Sequence, residues 1–242
     1  MFSLKKIGWA LAAAMYACAA PAPLITTSLQ AIDSRFDARP DSATQAIVAR
    51  YKPLLDARMD VVIGQLAQAL PTGDYDSPMA RFTTHAILRY AQQADIPVDF
   101  SLYNTGGLRA GLPQGDVRLF DVFAAYSFDN DIAILSIRGK YLRELAGFFA
   151  RTQPQPMGNA ELVVAQDGRA TLRINGEELD DDKIYRLITN NFVGEGGDRM
   201  TMLRHAVAVE RPGVLFRDAM IRYLQTADTD GTSANTTGRD GQ

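Results

Sequence analysis

With 242 residues, 47% of them hydrophobic and 22% charged, the chain has a globular composition, long enough for one large domain or one domain with appendages. Its formal charge is −3; leaving out Lys5 and Lys6, 23 basic residues face 28 acidic ones, a charge of −5. That balance argues against binding a nucleic-acid polymer, which rests on many neutralised phosphates, and leaves a single nucleotide open.

Lys5 and Lys6 precede an apolar run from Ile7 to Ala17, with small residues following to Ala20, the layout of a secretory signal. The run is too short to span a membrane. Residues 1–20 are therefore expected to direct export to the periplasm. Met15-Tyr16-Ala17-Cys18 resembles a bacterial lipobox with Cys18 at the lipidated position, although Tyr16 is bulkier than the residue usual there. Cleavage near Ala20 or Ala31 is the alternative, and membrane attachment would come only through such a lipid. Cys18 is the sole cysteine, so no disulfide forms within the chain.

Residues 21–42 read as a linker, and Asp41 or Ser42 can cap a helix to about Ala57 with Ile47, Val48, Tyr51 and Leu54 on one face. Met59 to Leu66, apolar and β-branched, predicts a strand, a continuing helix being the alternative. After a turn at Thr72 to Asp76, Ser77 as N-cap and Pro78 in the first turn start a helix to about Asp95. Val98 to Tyr103 predicts a short strand that ends at Asn104, and Gly115-Asp116 a turn. A strand is expected at Ile132 to Ile137 and a helix at Gly139 to Arg151. Asp167-Gly168 marks a hairpin between Leu162–Ala165 and Ala170–Ile174, and Asn175-Gly176 a second tight turn. Tyr185 to Thr189 predicts a strand and Val214 to Gln225 a closing helix. The folded domain is thus expected over 43–226, with a disordered polar tail over 227–242. Helices mixed with hairpins indicate an α+β fold.

Two loops carry paired glycines. Asn104-Thr105-Gly106-Gly107-Leu108-Arg109 follows one predicted strand, and Asn191-Phe192-Val193-Gly194-Glu195-Gly196-Gly197-Asp198 follows another. Such pairs permit positive φ and close approach to a ligand, while Arg109 suits phosphate and Asp198 suits hydroxyls. Phe128, before a strand, and Phe192, after one, lie in polar loop sequence; core packing and stacking on a planar ligand both remain open. His85 and His205, the two histidines, cannot build a zinc site with at most one thiolate, and read as structural or surface groups. Asp180-Asp181-Asp182 reads as a solvated turn rather than a metal site. Neither a Gly-x-Ser-x-Gly elbow nor a phosphate loop ending in Lys and Ser or Thr occurs. No catalytic residue and no resident metal is assigned to this chain.

Asn104 to Arg109, Phe128-Asp129-Asn130, the segment from Asn175-Gly176-Glu177 to Tyr185, and Thr189-Asn190-Asn191-Phe192 to Gly196-Gly197-Asp198 together resemble the C-terminal domain of bacterial 5′-nucleotidases and UDP-sugar hydrolases. The resemblance extends from about Ala43 to Gln225. It implies a layered α/β/β/α domain that holds substrate, while a calcineurin-like domain with two metal ions performs hydrolysis. By the same resemblance Phe128 and Phe192 sandwich the base, Asn130 bonds its edge, Asp198 accepts from ribose hydroxyls and Arg109 contacts phosphate. The chain departs from the family in Ser127, where a proline is usual, and in Arg199, where glycine is frequent. Upstream phosphate-binding arginines have no counterpart between Leu70 and Asp76, Arg81 aligns elsewhere, and the Pro154 to Gly158 loop matches poorly. The expectation is an exported substrate-binding chain acting in nucleotide catabolism with a separately encoded metallophosphoesterase that carries the divalent metals. An autonomous periplasmic nucleoside binder, or a relic domain without ligand, are the alternatives.

Overall fold

The computed structural model describes residues 28–29, 33–34 and 41–227. The leader with Cys18, most of the linker and the tail beyond residue 227 lie outside them. The chain divides into two units after Arg50, and among the described residues the second unit carries all of the strands, while one helix crosses the division. That helix, α1 (Ser42–Met59), starts where the Asp41 carboxylate accepts the Thr44 amide at 2.7 Å. Ile47, Val48, Tyr51 and Leu54 on it are exposed.

The helix stops at Met59 and the strand β1 (Val62–Leu66) follows, which decides between the alternatives for this stretch. Next comes α2 (Pro78–Gln93), whose N-cap hydroxyl, Ser77 Oγ, accepts the Ala80 amide at 3.3 Å, and then β2 (Phe100–Leu102). Gly115 and Asp116 do not form the expected turn; they open a strand, β3 (Gly115–Arg118), paired antiparallel with β1. The cause is a partner distant in sequence: Gln65 Nε2 donates to Asp116 Oδ1 at 2.8 Å across the pair. A helix without a strong sequence signal, α3 (Leu119–Ala125), follows, its first turn tied by Asp121, whose carboxylate accepts the Arg118 amide at 2.7 Å.

Then come β4 (Ile132–Arg138), α4 (Gly139–Arg151) and β5 (Met157–Gly158). The hairpin of β6 (Ala160–Val164) and β7 (Ala170–Ile174) turns at Gly168, and Asn175 and Gly176, with φ of 52° and 82°, lead into β8 (Glu177–Glu178). The chain closes with β9 (Ile184–Asn190), α5 (Asn191–Gly194), β10 (Ala208–Glu210) and α6 (Phe216–Ala227).

Five strands form the central sheet in the order β10-β4-β9-β2-β5, and β6-β7-β8 form a second sheet. Alternation along β4 buries both faces of the central sheet. Ile132 and Ile134 join α2 and α6 in one core, while Ala133, Leu135 and Ile137 join α4 and the hairpin sheet in another. Strand β9 repeats the pattern with Ile188 on the first side and Tyr185 and Leu187 on the second. The result is a layered α+β domain, as the sequence leads one to expect.

Candidate functional site

Strand direction assembles the site. β2 and β9 run parallel, with Phe100 opposite Leu187 and Ser101 opposite Ile188, so both deliver their C-terminal ends to one edge of the sheet. β4 runs antiparallel to β9 with Ile132 opposite Asn190, so its N-terminal end opens at the same edge. The loops Asn104–Arg109, Phe128–Asn130 and Phe192–Asp198 therefore emerge together.

Hydrogen bonds then tie the loops to one another. Asn191 N–H donates to the Asp131 carbonyl at 2.8 Å, and Asp131 N–H donates back to Asn191 Oδ1 at 3.0 Å. Arg109 N–H donates to the Ala125 carbonyl at 2.9 Å, which brings the Arg109 loop beside Phe128. The Arg109 guanidinium is exposed and lies 6.0 Å from the centre of the Phe128 ring. Its Nη1 is also 3.5 Å from the Gly106 carbonyl.

Neither ring is a core ring: Phe128 is 51% exposed and Phe192 42%. Phe192 lies against the second glycine pair, since a Cβ on Gly197 would sit 2.5 Å from the ring. Gly196 takes a φ of 84°, and Asp198 and Arg199 follow at 50° and 65°. Two successive left-handed residues with side chains cost about 1–2 kcal/mol each. In the first loop, a Cβ on Gly107 would meet the Tyr103 ring at 2.8 Å, so this glycine admits the tyrosine. Gly106, by contrast, is exposed. Asn130 is half-buried, and its carbonyl accepts the Phe216 amide at 2.8 Å.

A line of amides runs under the site. Asn104 Nδ2 donates to Asp198 Oδ2 at 3.0 Å, and Asn104 Oδ1 accepts Asn190 Nδ2 at 3.0 Å. Asn190 Oδ1 in turn accepts the Val193 amide at 2.8 Å, capping α5. Asn104 is 5% exposed and Asn190 fully buried, so these bonds satisfy polar groups that water does not reach. Burial pushes the neighbouring Tyr103 phenol well above its ordinary range.

Four contributors were given no role from the sequence. Asn190 carried a readable signal, an amide three residues ahead of Val193 at a strand end, where an N-cap belongs. Tyr103 reads locally as an ordinary strand residue. Gln155 Oε1 accepts the Thr105 amide at 2.8 Å, which brings the poorly matching 154–158 loop to the first glycine motif. Arg217 has no local signal: its buried guanidinium donates to the Tyr126 carbonyl at 3.1 Å and to Asp129 Oδ1 at 2.6 Å, and stacks 4.1 Å from the centre of Phe123. The loop bearing Phe128 is held by these bonds.

Among the described residues, no three or more His, Cys, Asp or Glu side chains converge where they could hold a metal ion. The acidic run is a turn, with Asp180 Oδ1 accepting the Asp182 amide at 2.9 Å and Asp181 paired to Arg143 at 2.7 Å. His205 stacks on Tyr141 with ring centres 4.5 Å apart, and His85 meets the edge of Tyr223. No helix among the described residues is long and apolar enough to cross a membrane. The edge thus offers two open rings, a tethered carboxylate and a guanidinium, a set suited to a flat, hydroxylated, anionic molecule.

Residues 62–205 match the family model described as 5′-nucleotidase, C-terminal domain. Over 175 residues the chain is 28% identical to Protein UshA of Escherichia coli (strain K12), covering 70% of this chain and 32% of that protein. Over 167 residues it is 26% identical to Endonuclease YhcR of Bacillus subtilis (strain 168), covering 64% of this chain and 13% of that protein. The chain therefore spans a third or less of these relatives. The solved 5′-nucleotidase precursor from Thermus thermophilus superposes with a TM-score of 0.66 at 23% identity, over 77% of this chain and 40% of that one. The Haemophilus influenzae NAD nucleotidase superposes with a TM-score of 0.58 at 17% identity, over 94% of this chain and 43% of the other. At such identities the likeness is one of fold.

Proposed function

The chain belongs to the family of 5′-nucleotidase C-terminal domains, and from that premise we propose that it binds the nucleoside part of a nucleotide ester for hydrolysis in nucleotide catabolism. In this reading Phe128 and Phe192 flank the base, Asn130 bonds its edge, Asp198 accepts from the ribose hydroxyls and Arg109 faces the phosphate. Gly106, Gly107, Gly196 and Gly197 let the backbone come close. The observation that carries it is the pair of half-exposed phenylalanines at one sheet edge, beside a carboxylate held by a buried amide. Bond cleavage falls to a separately encoded calcineurin-like metallophosphoesterase that brings the divalent metals, and this chain positions the substrate for it. The leader read in residues 1–20 supports work in the periplasm.

Isothermal calorimetry with adenosine tests the binding. Stacking is worth ~1–3 kcal/mol per base, so Phe128→Ala and Phe192→Ala are each expected to weaken adenosine by about tenfold or more, with the unliganded melting temperature nearly unchanged. Absence of binding by the unmodified chain to adenosine, AMP and a UDP-sugar alike would reject the reading. Phosphate release from AMP by a metallophosphoesterase, with and without this chain, tests the second half; no gain rejects the two-chain arrangement.

A further inference from the structure

We propose that Asn190, a buried residue with no ligand contact of its own, is the positioning residue that couples the grip on the base to the grip on the ribose and so sets selectivity for the sugar. The inference rests on the nucleoside-binding reading above. Its ground is the connectivity of one side chain. Through Oδ1 Asn190 accepts the Val193 amide and fixes the turn of α5 that carries Phe192; through Nδ2 it donates to Asn104, whose own Nδ2 donates to Asp198.

The polarity of this line is fixed at both ends. A backbone N–H only donates and an ionised carboxylate only accepts, so each amide between them has one permitted orientation. Asn190 Oδ1 must face Val193, which aims its N–H at Asn104; Asn104 must then present its N–H to Asp198. Asn190 is fully buried and Asn104 nearly so, so water does not substitute for a missing member. Asp198 sits at a φ of 50°, a conformation left-handed for a residue with a side chain, and the Asn104 bond holds its carboxylate there.

Replacing Asn190 with Asp separates its two tasks. Read at alkaline pH, where it is ionised, the carboxylate still accepts from Val193, so Phe192 keeps its place, but it no longer donates to Asn104. The Asn104 amide then turns its N–H inward and presents its oxygen to Asp198, which swings away.

The measurement is the ratio of affinities for adenosine and 2′,3′-dideoxyadenosine, by calorimetry on the full chain. A hydrogen bond to a charged acceptor implies that the unmodified protein favours adenosine by about ten- to a hundredfold. Asn190→Asp is expected to bring the ratio close to one with the dideoxy affinity retained, whereas Phe192→Ala lowers both affinities and keeps the ratio. Asn104→Ala, which buries no charge, is expected to erase the ratio in the same way and stands as the second arm if the Asp variant does not fold. Either variant, folded and keeping the parent's ratio, overturns the proposal, as does a parent ratio of one. A parent that binds neither nucleoside, or whose binding ignores loss of both phenylalanines, instead overturns the nucleoside-binding reading beneath it, and the parent together with the phenylalanine variants tells the two failures apart.

Discussion

Gly197 has no side chain at the point where one would strike the Phe192 ring, and the ring cannot fold back as a flexible chain end would. Gly197→Ala is therefore expected to push Phe192 off its seat and to weaken adenosine about as much as Phe192→Ala, a comparison that calorimetry makes directly. Two positions further on, Arg199 occupies a φ of 65°. The family's preference for glycine at this place has a physical cause: a left-handed residue with a Cβ costs about 1–2 kcal/mol, of which the greater freedom of unfolded glycine takes back about 0.5–1 kcal/mol. Arg199→Gly should accordingly stabilise the domain by about 0.5–1 kcal/mol in urea titration. A loss of stability would mean that the arginine side chain holds something its backbone strain conceals.

Elements, rather than residues, decide where Phe128 points. The segment entering α6 pairs with the loop before β4, through Phe216 N–H on the Asn130 carbonyl at 2.8 Å and Ile132 N–H on the Val214 carbonyl at 2.9 Å, and Arg217 completes the hold. Arg217→Met removes two hydrogen bonds from a buried guanidinium, one of them charge-assisted, and should lower stability by about 2–3 kcal/mol while weakening adenosine. Arg217→Lys should restore little, because one ammonium does not reproduce a planar fork that reaches two acceptors above an aromatic face. This scale also shows what the sequence discloses. The Ser77 cap and the Asn175-Gly176 turn rest on neighbours a few residues away, and β4, α4 and β9 on apolar runs and periodicities within their own segments, so all were legible. The β3 strand, α3 and the Arg217 contact were not, since they depend on Gln65 across a sheet or on a loop 88 residues back in the chain. In the site, the rings, glycines and Asp198 stood out through the two glycine-pair loops and the ordered motifs that resemble the family. Gln155 was masked by looking like an ordinary polar residue, and Asn190, though within a quoted motif, shows its link to Asn104 only once the strands are side by side.

At the scale of the whole molecule, one sheet serves two cores, and the first holds Tyr103 and Tyr126 as its most deeply buried phenols. Tyr103 and Tyr126 are almost wholly buried, and burial holds both hydroxyls well above the ordinary phenol range, with Tyr126 2.7 Å from Thr83 Oγ1. Each is raised above its unfolded value of about 10, so the folded state retains protons that the unfolded chain gives up. Their contribution is complete below about pH 10 and is lost as pH rises beyond it. Urea stability should therefore fall with pH above about 10, and Tyr126→Phe should make the fall shallower at a cost of about 1 kcal/mol at neutral pH. An unchanged slope would mean that the phenol reaches water. The hold on Phe128 has one more consequence. The family match ends at residue 205, so a fragment cut there would keep every ring, amide and carboxylate assigned to the ligand, yet lack Val214, Phe216 and Arg217. The border drawn by the family model falls short of the border drawn by mechanics, and a transplant of this site must take the closing helix with it.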